Sequence, residues 1–231
     1  MDSRLYSARL IIALFVMLCS LPVMSQTAEH NRWRDSLTVV SRQLERTPRD
    51  INLRLRKAAF NIELEQWEYA IDEYNTVLSR DERNLAALFY RAYAYTHLRR
   101  YQLAQNDYNT LLSILPTHLE ARLGLSYVLQ QQDRLKDALD QLNTIVVQHP
   151  DTVEAYVARA SLEQKMGMLQ PSLLDWDEAM ARRPDNTDYR LSRIDVLIQL
   201  GRRSQARSEL DALRKQGLST SSLRPWYRKL Q

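Results

Sequence analysis

The sequence predicts an all-α protein, a solenoid of antiparallel helix hairpins, and three observations carry that prediction. Pro48, Pro116, Pro150 and Pro184 are spaced by 68, 34 and 34 residues, multiples of one period. Small residues recur on the same period at Ala58, Ala92, Ser126 and Ala160, and twelve places later at Ala70, Ala104, Ala138, Ser172 and Ala206. Turn-formers are scarce, with 4 Gly and 7 Pro in 231 residues, a composition suited to helices and poor for the tight turns of sheets. A period of this length marks a supersecondary unit that buries its apolar face only by stacking on its neighbours.

The first 25 residues are of another kind. Arg4 and Arg9 precede the apolar run "LIIALFVML" (10–18), and Val23 and Ser25 supply small residues ahead of a cut at Gln26. Residues 1–25 are expected to be a secretory signal peptide, placing the mature chain in the periplasm or cell envelope of a bacterium. The apolar run is shorter than the ~20 residues a spanning helix needs, and Pro22 breaks it, so an uncleaved anchor is the second reading. Cys19 does not make a lipid-attachment signal, because Leu18 occupies the place a small residue would take. Cleavage removes the only cysteine, so stability has to come from packing without disulfides.

Within the segment 26–50, residues 31–48 match only the second half of a unit: Trp33, Ser36, Leu37, Val40, Leu44 and Pro48 fall where Trp67, Ala70, Ile71, Tyr74, Leu78 and Glu82 fall later. A lone capping helix is expected there. Five whole units follow at 51–84, 85–118, 119–152, 153–186 and 187–220. In each, the two small residues let the helices cross closely. Tyr74, Tyr108, Leu142, Trp176 and Leu210, one turn beyond the second small place, fill the remaining space. Trp67, Tyr101, Leu135 and Leu169 open the second helix. Gly167 and Gly201 sit in the turn before it, where a left-handed cap is easy for glycine. Arg207 and Arg214 then replace apolar residues of earlier units, so stacking is expected to stop. In residues 221–231, Leu223, Trp226, Tyr227 and Leu230 share one face of a final capping helix, with Pro225 tolerated in its first turn.

This pattern resembles the tetratricopeptide repeat, whose 34-residue signature runs Trp, Leu-Gly, Tyr, then Ala, an aromatic and Pro. The resemblance covers residues 51–220 and implies a right-handed superhelix whose concave side is lined by the first helix of each unit. Arg54, Arg122 and Arg190 stand where the family often has Trp, and Ile194 and Leu218 replace a small residue and the Pro in the last unit.

The run "FYRAYAY" (89–95) sets Arg91 among aromatic residues and alanines. Its equivalents are Lys57, Leu125, Arg159 and Arg193, and sixteen residues downstream of each lie Glu73, Asp107, Gln141, Asp175 and Glu209. Charge and countercharge are present together in four units and absent together in the third. The family's hairpin geometry brings the two places together, which implies structural ion pairs Lys57–Glu73, Arg91–Asp107, Arg159–Asp175 and Arg193–Glu209. A half-buried charge without a partner costs several kcal/mol.

No Gly-rich phosphate loop, nucleophile elbow or His-Glu-x-x-His is present, and His30, His97, His118 and His149 are scattered. Neither an enzyme, a metal site nor a cofactor is expected. Lys and Arg exceed Asp and Glu by only 32 to 28, and the pairs Arg99–Arg100, Arg182–Arg183 and Arg202–Arg203 fall at turns, where cations favour helix C-terminal ends. Nucleic acid is therefore not an expected partner. The resemblance places Arg56, Phe89, Tyr90, Tyr93, His97, Leu123, Tyr127, Gln130 and Gln131 in the groove, as a face for a peptide or helix of a protein partner. The alternative for Phe89 and Tyr93 is burial between units, as for most helical aromatic stripes. Arrays that clamp a C-terminal carboxylate use Asn at places that here carry Ala59, Tyr93, Tyr127, Ser161 and Asp195, which excludes that subtype. The expected function is an exported interaction scaffold. The alternative is an accessory subunit, peripheral to the envelope, that docks through a convex or terminal basic surface.

Overall fold

The computed structural model describes residues 23–231, with side chains from residue 29 onward. The expected signal segment lies outside the described residues but for its last three. The described chain is all helical, twelve helices joined by short turns and packed in sequence as antiparallel hairpins. It divides into two compact units, the first ending at Val128 and the second beginning at Leu129.

The first unit holds α1 (Val23–Arg46), α2 (Ile51–Glu63), α3 (Trp67–Leu78), α4 (Leu85–His97), α5 (Tyr101–Ile114) and most of α6 (Leu119–Gln131). Helix α1 packs on α2, α2 on α3, α3 on α4 and α4 on α5. Ala58, Ala70, Ala92 and Ala104 are wholly buried, so each hairpin closes over side chains too small to hold its helices apart. Tyr74, Val77 and Leu111 fill the room beside them.

The second unit contains α7 (Leu135–Gln148), α8 (Val153–Lys165), α9 (Leu169–Arg182), α10 (Thr187–Gln199), α11 (Arg203–Lys215) and α12 (Thr220–Lys229). Its two small places touch directly, because the Ser172 hydroxyl donates to the Ala160 carbonyl at 2.8 Å. Ile194, Leu197, Leu210 and Leu213 form a continuous core that α12 closes with Leu223 and Leu230. Ile194, where other units carry a small residue, is itself wholly buried.

Four of the five first helices are fixed locally at both ends, and the fifth, α8, lacks the side-chain bond at its start. Asp50, Asn84 and Asn186 accept from backbone N–H groups three residues on at 3.0, 3.0 and 3.1 Å, and His118 Nδ1 does the same for Ala121 at 3.2 Å. These caps stand 34 residues apart or at multiples of it. At the other end, five residues on the same period adopt left-handed backbone: Glu65, Arg99, Asp133, Gly167 and Gly201. Each closes its helix with paired reverse bonds, such as Gln66 N–H to the Asn61 carbonyl at 2.8 Å and Glu65 N–H to the Ile62 carbonyl at 2.9 Å. Glycine thus occupies only two of the five places that need it.

Candidate partner-binding site

A frame of basic side chains ties the first helix of most hairpins to the second. Arg91 Nε and Nη2 donate to the two Asp107 carboxylate oxygens at 2.8 and 2.6 Å, a bidentate pair linking α4 to α5. Arg159 repeats this with Asp175 at 2.6 and 2.8 Å. Arg193 meets Glu209, and Lys57 Nζ lies 2.6 Å from Glu73, whose other oxygen accepts from Arg54 at 2.8 Å. The structure adds a contact that charge pairing in the sequence does not reveal. Arg91 Nη1 also donates to Asn75 at 2.7 Å and Arg159 Nη1 to Asn143 at 3.1 Å, while Arg193 pairs with Asp177. Each of these partners lies sixteen residues upstream, on the second helix of the preceding hairpin. One guanidinium therefore ties its own hairpin shut and fastens it to the one before.

Burial opposes the charge on Arg91, but the hydrogen bond to Asp107 and the charge of that carboxylate together outweigh it and raise the guanidinium pKa above its ordinary value. Glu163 in α8 has no comparable partner. It is 6% exposed, its Oε2 has no hydrogen-bond partner among the described residues, and burial followed by the Asp175 charge pushes its carboxyl up to about 7, against the pull of Arg159.

In the first unit the expected aromatic groove residues fall into two ring clusters, Tyr93 and His97 around Trp67 and Phe89 with Tyr90 beside Tyr74 and Tyr108. His97 stacks on Trp67 with ring centroids 4.1 Å apart and planes 10° from parallel, and Tyr93 meets His97 edge-on at 4.5 Å. Phe89 lies 6.1 Å from Tyr108 and 5.6 Å from His118, and Tyr90 lies flat against the buried Tyr74 at 6.3 Å. Phe89, Tyr90, Tyr93, Leu123 and Tyr127 are half-buried, while Arg56 and His97 are exposed. Each ring packs on one side and keeps part of its surface in water. Burial, with Glu63 and Glu65 nearby, pushes the Tyr93 hydroxyl up to about 12. Burial also lowers the His97 imidazole pKa, which Glu65 opposes. In the second unit Gln131 is exposed and Gln130 half-buried.

The ring at the centre of the first cluster escapes a reading confined to first helices. Trp67 belongs to a second helix, yet its ring carries His97. Gly124 lies on the first helix α6, and a Cβ there would lie 2.5 Å from the ring of the buried Tyr108. Its lack of a side chain serves packing. The basic turns are largely neutralised: Arg100 pairs with Glu68, Arg182 with Glu178 and Arg183 with Glu154, and Arg202 bonds Gln170.

Residues 95–162 match the family described as Tetratricopeptide repeat. The chain thus has the fold of the tetratricopeptide repeat proteins. A tetratricopeptide repeat protein from Parabacteroides merdae ATCC 43184 shares 20% identity with it over 90% of this chain and 84% of that one, with a TM-score of 0.69. Pseudomonas aeruginosa pilF gives 16% identity over 87% and 92% of the two chains and a TM-score of 0.70. YrrB, described as a TPR protein with an unusual peptide-binding site, gives 19% identity over 74% and 89% and a TM-score of 0.62. No curated protein matches the sequence significantly. At these identities the structural likenesses establish the fold alone. The repeat family is typically non-catalytic and generally serves protein–protein interaction. Among the described residues no helix of the repeat protein is long and apolar enough to cross a membrane.

Proposed function

We propose that the repeat protein is a non-catalytic scaffold, exported to the bacterial cell envelope, that holds a peptide or helix of a partner protein against the first-helix face of its first unit. The observation that carries this reading is the interlocked set Trp67, Tyr93 and His97. Rings already fixed against one another offer apolar area and polar edges at little further loss of side-chain freedom, which is what an anchor for a partner segment requires. The peptide-binding site ascribed to YrrB, a relative in fold, lends support by analogy.

Crosslinking in the native envelope identifies the captured partner, and purified protein then gives its affinity. His97→Ala with Tyr127→Ala is expected to retain helical content by circular dichroism and to weaken partner binding tenfold or more. Unchanged affinity in a folded double variant would refute the assignment. Export has its own test: the mature protein should begin at Gln26.

A second reading, an accessory subunit docking through a terminal basic surface, is favoured by one feature. Arg207, Arg214 and Arg224 border a cavity of about 410 Å³, and Arg207 and Arg224 have no ion-pair partner among the described residues. Arg207→Gln with Arg224→Gln should then release the protein from membrane fractions. Retention there would end this reading.

A further inference from the structure

We propose that the second unit contains a pocket for a cationic side chain, arginine or lysine, of the partner segment, and that Lys229 occupies it until that segment arrives. The inference rests on the reading of the protein as the holder of a partner segment, and names a chemical feature of that partner. Three helices build the pocket. Gln164 comes from α8, Asp188, Leu191 and Asp195 from α10, and Trp226 and Lys229 from α12, around a cavity of about 360 Å³. That volume is ample for a long side chain. Leu191 and Trp226 supply apolar surface for an aliphatic stem, and an indole face attracts a cation held over it.

The polar groups specify charge. Asp195 Oδ2 accepts from the Gln164 and Gln199 amides, both at 3.0 Å, while its Oδ1 faces the Lys229 ammonium. The two amides orient the carboxylate, and the ammonium shows which charge it takes. Asp188 supplies a second carboxylate and has no ion-pair partner among the described residues. With Lys229 in place the pocket still carries one unbalanced negative charge. With Lys229 withdrawn it carries two, so an incoming guanidinium exchanges with an internal cation on an exposed, easily displaced side chain. The final helix thus does more than close the core: Leu223 and Leu230 face inward while Trp226 and Lys229 form one wall of the pocket.

This exchange makes the two partners of one ion pair respond in opposite directions. The probe is acetyl-Gly-Ser-Arg-Ser-Gly-amide titrated into the full chain, with the citrulline peptide as its neutral isostere, read by the Trp226 indole N–H resonance assigned through Trp226→Phe. The arginine peptide should shift that resonance saturably and the citrulline peptide should not. Asp188→Asn and Asp195→Asn should each weaken binding about fivefold, the worth of one modest ion pair, and Lys229→Met should tighten it. Equal shifts from both peptides, or weakening by Lys229→Met, would overturn the proposal and leave the aromatic face of the first unit untouched. If the arginine peptide binds but His97→Ala with Tyr127→Ala keeps full partner affinity, the pocket stands and the aromatic-face reading falls.

Discussion

Arg91 is tolerated among aromatic residues because three of its donors are met by fixed acceptors: two on Asp107 and one on Asn75. A guanidinium so enclosed is costly to orphan. Asp107→Ala is expected to destabilise by about 2–3 kcal/mol in urea denaturation, somewhat below a fully buried pair because the Arg91 side chain remains 20% exposed. Arg91→Met with Asp107→Leu should recover most of that loss, since the charge and its countercharge leave together. Glu163 offers the opposite case, an acid kept without adequate acceptors or donors. Its folded pKa is raised to about 7, so the native state binds the proton more tightly than the unfolded chain does. The resulting contribution to stability is full below the ordinary carboxylate value and is lost as pH rises through about 7. Glu163→Gln should therefore flatten the decline in stability between pH 4.5 and 7, and leave the protein at least as stable as the wild type above pH 7, as seen in melting temperatures across that range.

At the scale of a helix and its turn, most of the architecture is written in residue types at fixed offsets. The 34-residue period, the paired small residues and the bulky residue one turn later are enough for a hairpin, because close crossing leaves few alternatives. The capping set Asp50, Asn84, His118, Thr152 and Asn186 recurs on the same period in the structure, although Thr152 makes no side-chain cap bond. The left-handed turn residues were only partly legible: Gly167 and Gly201 announce themselves, whereas Glu65, Arg99 and Asp133 adopt the same backbone with no glycine to mark it. Arg99→Gly should accordingly stabilise by about 0.5–1 kcal/mol, relief of left-handed strain being partly offset by the freer unfolded chain. Gly124→Ala should cost about 1–3 kcal/mol by forcing the Tyr108 ring aside, a loss that truncating Tyr108 to leucine would lessen.

For the whole molecule, an array of hairpins touching only their neighbours confines damage to where it is done. Deleting residues 219–231 strips Leu223 and Leu230 from the core of the second unit, with an expected loss of about 3–5 kcal/mol there. Amide exchange in α2 to α4 of the first unit should be unchanged by it. Function is less legible than fold at this scale for a physical reason. A fold repeats, so each unit corroborates the next, whereas the Trp67–His97 stack and the pocket beneath Trp226 each occur once and join positions from different repeats. Periodicity is silent about such meetings. The upstream acceptors of the frame show a further consequence. Because Arg159 needs Asn143 behind it and Arg193 needs Asp177, a hairpin transplanted along the chain would seat well only downstream of a segment bearing a suitable amide or carboxylate. Gene shuffling within this array is thus constrained by a chemical grammar in which each module bearing the arginine specifies its predecessor.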